Sequence, residues 1–262
     1  MPSIPAAERG FVGCARHWHR ARPIEHPSTH SLRIAIDAST SVSALLRVPD
    51  DAWAGYVFAH GAGAGMAHGF MTSFADGLAE RGIASLRYQF PYMEQGSKRA
   101  DVPKVAHAAV RAAVADATQR MPGLPLFAGG KSFGGRMTSQ AHALSPLPGL
   151  RGLVFVGFPL HPAGKPADER AAHLFGIECP MLFLQGTRDE LAALDLLQPL
   201  VQRLGQERAT LALFDDADHA FHVRARSGRS DAQTLAEMLD VTAGWAREHS
   251  CNAPGRSGTK RP

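Results

Sequence analysis

The stretch that decides the fold is "LFAGGKSFGGR", residues 126–136. It joins an apolar run to a helical pattern, and it fits two short motifs. Gly130-Lys131-Ser132 matches the end of a phosphate-binding loop, in which Lys131 and Ser132 would hold a nucleotide and its metal. The segment from Gly130 to Gly134 also matches G-x-S-x-G, a turn that presents a nucleophilic serine. Local context does not separate the two interpretations, whereas motif spacing does.

The spacing excludes the phosphate-binding loop. Such a loop needs G-x-x-x-x-G-K-[ST], because several backbone amides must wrap the phosphates. With Gly130 as the second glycine, the first would have to stand where the sequence has Pro125. Leu126 and Phe127 have the apolar character of a strand rather than of a loop. A nucleotide site is therefore not predicted here.

Ser132 is instead predicted to be a nucleophile on a strand-to-helix turn. The glycines on both sides permit a strained backbone and let the strand and the helix approach closely. The serine then stands at the N-terminus of a helix, whose dipole favours developing negative charge. Phe133, the next residue, would donate its backbone N–H to an oxyanion. An ordinary glycine-rich turn is the alternative, so the interpretation needs partner residues elsewhere in the chain.

A second oxyanion donor is expected in the stretch "AHGAGAGMAHG", residues 59–69, directly after an apolar run. Its closely spaced glycines would allow the backbone to approach a substrate. The backbone N–H of Ala62 is the favoured donor, and that of Gly61 is the alternative. A flexible turn without this role would have the same composition.

The acid and the base are expected to follow later strands. In "FLQGTRDE" we prefer Asp189 over Glu190 as the acid, with helix N-capping as the alternative role of Asp189. In "FDDADHAFH" both His219 and His222 are candidate bases. The order serine, aspartate, histidine, each after its own strand, is the order expected of an α/β-hydrolase.

Strand-like and helix-like segments alternate along the chain. "LRIAID" and "SVSALLRV" alternate apolar and polar residues, which predicts an antiparallel pair of edge strands. From residue 55 onward, short apolar runs are mostly separated by helix-period segments. This pattern predicts an α/β fold with a mostly parallel sheet and helices on both faces. About 20 residues separate the strands ending near Phe158 and beginning near Cys179, too few for a large cap domain.

The charge distribution predicts one α/β domain between two basic tails. The net charge of the 262-residue chain is +4. Residues 1–31 have four arginines and two glutamates, and residues 249–262 have three basic residues and no acid, so residues 32–248 carry −1. We therefore expect the domain over residues 32–248, flexible tails, and no nucleic-acid partner. No apolar run reaches the roughly 20 residues of a membrane span, so no membrane partner is expected.

No metal or cofactor is expected. Cys14, His17 and His19 in the N-terminal tail are fewer than the four ligands of a usual structural metal site. A nicotinamide-binding turn needs G-x-G-x-x-G, and with Gly61 and Gly63 as its first two glycines the third position is Met66. The three cysteines are widely spaced and odd in number, which indicates a reducing compartment. Because no signal sequence is visible, we expect a cytoplasmic protein.

Five stretches within residues 40–248 carry a resemblance to a known family. They are "AHGAGAGMAHGFM", "RYQFPYMEQGSKRAD", "GGKSFGGRM", "GFPLHPAGKP" and "DADHAFH". They resemble the α/β-hydrolase superfamily and, more narrowly, the Tex30/KANSL3-like branch of dienelactone-hydrolase-type proteins. The resemblance implies Ser132 as nucleophile, Asp189 as acid, and His219 rather than His222 as base. It implies a hydrolase-like site without a settled substrate, and some eukaryotic relatives act as subunits of larger assemblies.

The predicted function is that of a serine hydrolase acting on a small ester or thioester. A small-molecule acyl substrate is expected because a chain without a large cap leaves its pocket open. Arg87, Lys98 and Arg99 could contact a substrate carboxylate, although solvated surface charges are the more common arrangement. The alternative is a catalytically idle domain that serves as an interaction scaffold. The presence of serine, aspartate and histidine argues against a scaffold, because nothing in packing requires all three.

Overall fold

The computed structural model describes residues 28–250. Its strands are β1 (Thr29–Ala35), β2 (Ser41–Arg47), β3 (Ala54–Ala59), β4 (Ile83–Tyr88), β5 (Leu126–Lys131), β6 (Leu150–Val156), β7 (Met181–Gly186) and β8 (Ala209–Phe214). Its α-helices are α1 (Gly69–Ala79), α2 (Pro91–Glu94), α3 (Pro103–Arg120), α4 (Phe133–Leu144), α5 (Leu194–Leu204) and α6 (Asp231–Ser250). Most of the two predicted tails, including Cys14, His17 and His19, lies outside the described residues.

The eight strands form one sheet in the order β1-β2-β4-β3-β5-β6-β7-β8. β1 and β2 pair in antiparallel fashion, as predicted, but β2 is not an edge strand because it also pairs antiparallel with β4. The remaining pairs, from β4 through β3 to β8, are parallel. The carboxyl ends of these parallel strands therefore lie along one edge of the sheet.

Helices cover both faces of the sheet. On one face α1 and α6 contribute Phe74 and Trp245 to the core. On the other face α3, α4 and α5 contribute Val110, Met137 and Leu200. Every residue of β3, β4 and β7 is buried, which explains why apolar residues dominate these strands without a strict alternation of apolar and polar positions. The predicted α/β fold with a mostly parallel sheet is confirmed.

The connections differ from the predictions in detail. The helix after β7 begins at Leu194, because turns fill the segment that contains Asp189. The short helix α2 was not predicted, and neither was the 3₁₀ helix Glu169–Gly176 between β6 and β7. This single 3₁₀ helix is the only helical element that the structure describes in that connection, which agrees with the expectation of no large cap domain.

Two glycines allow α4 to lie directly against the central strands. A Cβ atom on Gly134 would lie 2.6 Å from the carbonyl oxygens of both Ala59 and His60. A Cβ atom on Gly130 would lie 2.4 Å from the carbonyl oxygen of Ala59. These positions tolerate no side chain without movement of backbone, so the glycines of the motif set the distance between β3, β5 and α4.

We expect Gly134→Ala to lower the free energy of unfolding by about 1–3 kcal/mol, because the added methyl group would collide with backbone. Gly244→Ala is the matched control, because a Cβ atom on Gly244 in α6 would meet nothing within 4 Å. This control should raise stability by up to about 1 kcal/mol, since alanine is the better helix former. Urea unfolding of both variants measures the difference, and equal stabilities would contradict the packing argument.

Candidate active site

The structure brings the predicted nucleophile, base and acid together at the carboxyl edge of the sheet. Ser132 follows β5, Asp189 follows β7, and His219 follows β8. The His219 Nε2 atom lies 2.8 Å from Ser132 Oγ, and the Nδ1 atom lies 2.7 Å from Asp189 Oδ2. With the Nδ1 proton donated to the carboxylate, Nε2 is left to accept the proton of the serine hydroxyl.

Ser132 has a backbone conformation that is rare outside glycine. Its φ is 50° and its ψ is −114°, and it immediately precedes α4. The conformation is held by hydrogen bonds from its N–H to the carbonyl of Val156, 3.0 Å, and from the N–H of Arg136 to its own carbonyl, 3.1 Å. Positive φ at a non-glycine residue costs on the order of 1–3 kcal/mol. The strained turn that the motif predicts is therefore present at this serine.

The carboxylate of Asp189 is fully buried and held by several donors. Its side chain has 0% exposure, against 28% for that of His219. Gln185 Nε2 donates to Oδ2, and the N–H of Leu191 donates to Oδ1 at 2.8 Å. The amide of Gln185 is itself oriented by the N–H of Phe158, which donates to its Oε1 at 3.0 Å. The Leu191 contact closes a turn and does not cap α5, whose N-cap is Ala193, so the alternative role of Asp189 as a helix N-cap is wrong.

The residues predicted to supply oxyanion donors lie beside the serine. Ala62 and Gly61 line a cavity of about 190 Å³ together with Ser132 and His219. Phe133 begins α4, so its N–H belongs to the first helical turn, where backbone donors have no partner within the helix. Both predicted donors therefore lie next to the candidate nucleophile.

His60, which the sequence argument did not single out, controls the orientation of the Gly61–Ala62 peptide. It is fully buried, and its Nε2 accepts the N–H of Phe90 at 3.0 Å. The proton is then on Nδ1, which donates to the carbonyl of Gly61 at 2.8 Å. Because a trans peptide is planar, fixing the Gly61 carbonyl turns the Ala62 N–H to the opposite side. Burial lowers the pKa of His60 to about 4, so the ring is neutral at pH 7.

The loop after β3 is also held by β4 and the residues after it. Arg87 Nη1 donates to the carbonyl of Met66 at 3.1 Å and to Thr72 Oγ1 at 2.9 Å. The N–H of Met66 in turn donates to Gln89 Oε1 at 2.9 Å. Arg87 is 2% exposed, so the interpretation of this residue as a solvated surface charge was wrong. Its place in a strand that is buried on both faces was the signal for a structural role.

Lys131 is a further residue of the site that the sequence argument missed. It was considered only for the phosphate-binding loop, yet it lines the cavity with Ser132. Its Nζ donates to the carbonyl oxygen of His219. Burial lowers the pKa of Lys131 to about 8, against the opposing influence of Asp189 and Asp218. The variable position of G-x-S-x-G, between glycine and serine, thus places a cation beside the candidate nucleophile.

The alternative candidates lie elsewhere. His222 is exposed, and its Nδ1 lies 2.8 Å from Asp231 Oδ2 on the molecular surface. Glu190 is exposed beside the buried Asp189, and Lys98 and Arg99 are exposed as expected. The geometry thus separates His219 from His222, a choice that spacing alone had left open.

The described part of the chain contains no group of three or more histidine, cysteine, aspartate or glutamate residues with the arrangement of a metal site. In the same residues, 28–250, no helix combines the length and apolar character that a membrane crossing requires. Cys179 is a free cysteine, and burial raises the pKa of its thiol to about 12. The thiol is therefore protonated at neutral pH and is a poor nucleophile.

The fold and the site together define the class of protein. A mostly parallel sheet in which serine, aspartate and histidine, in that order, each follow a strand of their own is the architecture of the α/β-hydrolases. Residues 53–247 match the model of a family described as "Alpha/beta hydrolase domain", and the chain belongs to this family.

Solved structures of similar fold include several hydrolases. A dienelactone hydrolase from Anabaena variabilis ATCC 29413 is 18% identical with a TM-score of 0.66, over 86% of this chain and 99% of that one. A serine hydrolase without a lid from Xanthomonas campestris is 18% identical with a TM-score of 0.65, over 89% and 100%. An esterase from Pyrococcus furiosus is 15% identical with a TM-score of 0.68, over 86% and 92%. At these identities the likeness shows the fold.

The buried His60 should make the protein less stable in acid. Because burial lowers the pKa of His60 to about 4, the unfolded chain binds this proton first as the pH falls from 6.5. The contribution of the neutral His60 ring to the free energy of unfolding is fully present above pH 6.5. It decreases by about 3 kcal/mol in total as the pH falls towards 4. We expect His60→Asn to have a flatter profile of unfolding free energy over this range, measured by urea unfolding. Parallel profiles for the variant and the wild type would contradict this linkage.

Proposed function

We propose that the protein is a serine hydrolase that transfers the acyl group of a small ester or thioester to water. The observation that carries this proposal is the continuous hydrogen-bonded chain from Ser132 through His219 to the buried Asp189. These three residues come from separate loops, so their contact requires the folded sheet. Packing alone does not explain why a buried carboxylate binds a histidine ring that is itself hydrogen-bonded to a serine with a strained backbone. Membership of the α/β-hydrolase family supports the same class of reaction.

In the first half of the proposed reaction, Ser132 Oγ attacks the carbonyl carbon of the substrate. His219 Nε2 accepts the hydroxyl proton, and Asp189 stabilises the imidazolium and holds the ring in its orientation. The tetrahedral intermediate collapses when the imidazolium gives its proton to the leaving alcohol or thiol. In the second half, water attacks the acyl-serine with the same histidine as base, which releases the acid and restores the serine.

The negative oxygen of the tetrahedral intermediate would be bound by the backbone N–H groups of Phe133 and Ala62. Such donors contribute about 3 kcal/mol each to stabilisation of the transition state when they are held in place beforehand. The hydrogen bond from His60 to the Gly61 carbonyl gives the Ala62 N–H that fixed orientation. For the same reason we assign Ala62 rather than Gly61 as the second donor.

The proposal also includes a small substrate, a cytoplasmic location, no cofactor and no nucleic-acid partner. A cavity of about 190 Å³ beside Ser132 favours a short acyl group. The resemblance to the Tex30/KANSL3-like branch leaves a catalytically idle interaction scaffold as the competing function, since some relatives in that branch act within assemblies. Chemical labelling of the serine separates the two functions.

Treatment with a fluorophosphonate should add one adduct to the wild-type protein and none to Ser132→Ala, as measured by intact mass. Ser139→Ala is the matched control, because Ser139 Oγ also lies 2.8 Å from a histidine nitrogen, His173 Nε2. Ser139 is fully buried and its histidine has no carboxylate partner among the hydrogen bonds of the described residues, so we expect this variant to be labelled like the wild type. A folded wild-type protein without an adduct would favour the scaffold.

Asp189→Asn should lower kcat for a short p-nitrophenyl ester by about 10⁴-fold, because an amide in place of the carboxylate favours the wrong tautomer of His219. The KM should change far less, since Asp189 is fully buried behind the histidine. Glu190→Gln is the matched control: it changes the neighbouring, exposed carboxylate in the same way and should leave kcat within about twofold. Equal effects of the two variants would remove Asp189 from the mechanism.

A further inference from the structure

Lys131 is a part-buried charge beside the site that the proposed mechanism does not use. It is the last residue of β5 and directly precedes Ser132. Its Nζ donates to the carbonyl oxygen of His219 and lies 4.9 Å from the ring centre of Phe221 and 5.6 Å from that of Phe70. Lys131 also lines the cavity of Ser132, and its ammonium group lies next to the ring of His219, the candidate base.

This ammonium group has hydrogen-bond donors to spare. It carries three N–H groups, and the carbonyl of His219 is the acceptor found for it among residues 28–250. No carboxylate in that part of the chain forms an ion pair with it. Asp189 and Asp218 influence it through their charge at longer range. Buried lysines are normally paired, so the remaining donors suit an anionic acceptor that the described chain does not supply.

The charge of Lys131 also bears on the proposed reaction. A Cβ atom on Gly157 would lie 3.1 Å from Lys131 Nζ and 3.5 Å from two ring atoms of His219, so the ammonium and the imidazole are close neighbours. When His219 takes the proton of Ser132 it becomes positively charged, and the ammonium opposes that charge. An anion bound to Lys131 would offset this repulsion as the imidazolium forms. Such an anion would stabilise the transition state more than the bound substrate, so it would raise kcat as well as strengthen binding.

The rest of the cavity limits the size of the group that carries the anion. Phe70, Met71 and Ala220 are apolar parts of its wall, and its volume is about 190 Å³. Pockets for drug-sized ligands are larger, roughly 300–1,000 Å³. A short hydrocarbon segment between the scissile carbonyl and the anion matches both the apolar wall and the small volume.

We propose that Lys131 determines substrate specificity by binding a carboxylate at the far end of the acyl group that Ser132 attacks. The substrate class is then the hemiester or hemithioester of a short dicarboxylic acid. Water adds across the acyl bond, so the products are the dicarboxylate and the free alcohol or thiol. This inference rests on the proposed serine hydrolase function and narrows it.

The test compares p-nitrophenyl hydrogen succinate with p-nitrophenyl butyrate, which differ by a terminal carboxylate in place of a methyl group. The wild type should hydrolyse the succinate ester with the higher kcat/KM. Lys131→Met should lower the ratio of the two kcat/KM values by roughly 10- to 100-fold, the worth of a hydrogen bond to a charged group. Lys104→Met, which removes an exposed lysine at the start of α3, is the control for net charge and should keep the wild-type ratio.

Two results would overturn the assignment. One is a wild-type protein that does not prefer the anionic ester, a measurement that needs no variant. The other is an equal loss of both activities in Lys131→Met with the ratio unchanged, which would make Lys131 a positioning residue for His219.

A binding experiment keeps this inference separate from the proposed function. Calorimetry on Ser132→Ala, with methyl hydrogen succinate and methyl butyrate as probes, measures recognition without turnover. Tighter binding of the anionic ester, lost in the Ser132→Ala/Lys131→Met double variant, supports the carboxylate site even if fluorophosphonate labelling of the wild type fails. Equal affinities for the two esters would refute the carboxylate site even if the serine is active.

Discussion

The close approach of α4 to the central strands is the constraint on which the site depends. The carbonyl oxygens at the end of β3 leave no room for a side chain on Gly130 or Gly134. With the helix held this near, the chain must turn sharply at Ser132, whose φ is 50°. The cost of that conformation, on the order of 1–3 kcal/mol, is offset by the packing of the elements that flank it. The turn leaves the serine on the wall of the cavity, while Phe133 and Gly134, which follow it, are buried.

At the same edge of the sheet, the carboxylate of Asp189 is buried away from water but keeps its hydrogen-bond partners. Gln185, on β7, donates to Asp189, and it is oriented in turn by the backbone after β6. Together with the Leu191 N–H and the ring of His219, these contacts satisfy a side chain with no solvent exposure. A buried anion is tolerable only with such partners. The histidine is therefore held by an acid that can itself hardly move.

The loop after β3 is held by contacts from the neighbouring strand β4 and the residues after it. Arg87 and Gln89 bind the two sides of Met66, and the Phe90 N–H fixes the tautomer of His60. His60 then sets the direction of the peptide that follows it. A glycine-rich sequence would allow many conformations, so these buried polar contacts are what select one. Donors held in place before the substrate arrives are the kind that stabilise an oxyanion best.

The sequence by itself determined the sheet with helices on both faces, because apolar periodicity and glycine turns are local signals. It also placed Ser132, Asp189 and the histidine pair in that order, each after a strand of its own. Motif spacing left His219 and His222 open. The family resemblance favours His219, and the distances in the folded chain separate the two residues. Tertiary structure also decided the surroundings of three polar residues, His60, Arg87 and Lys131. Sequence patterns assign charged side chains to the surface by default, and only packing reveals which of them are enclosed and by what.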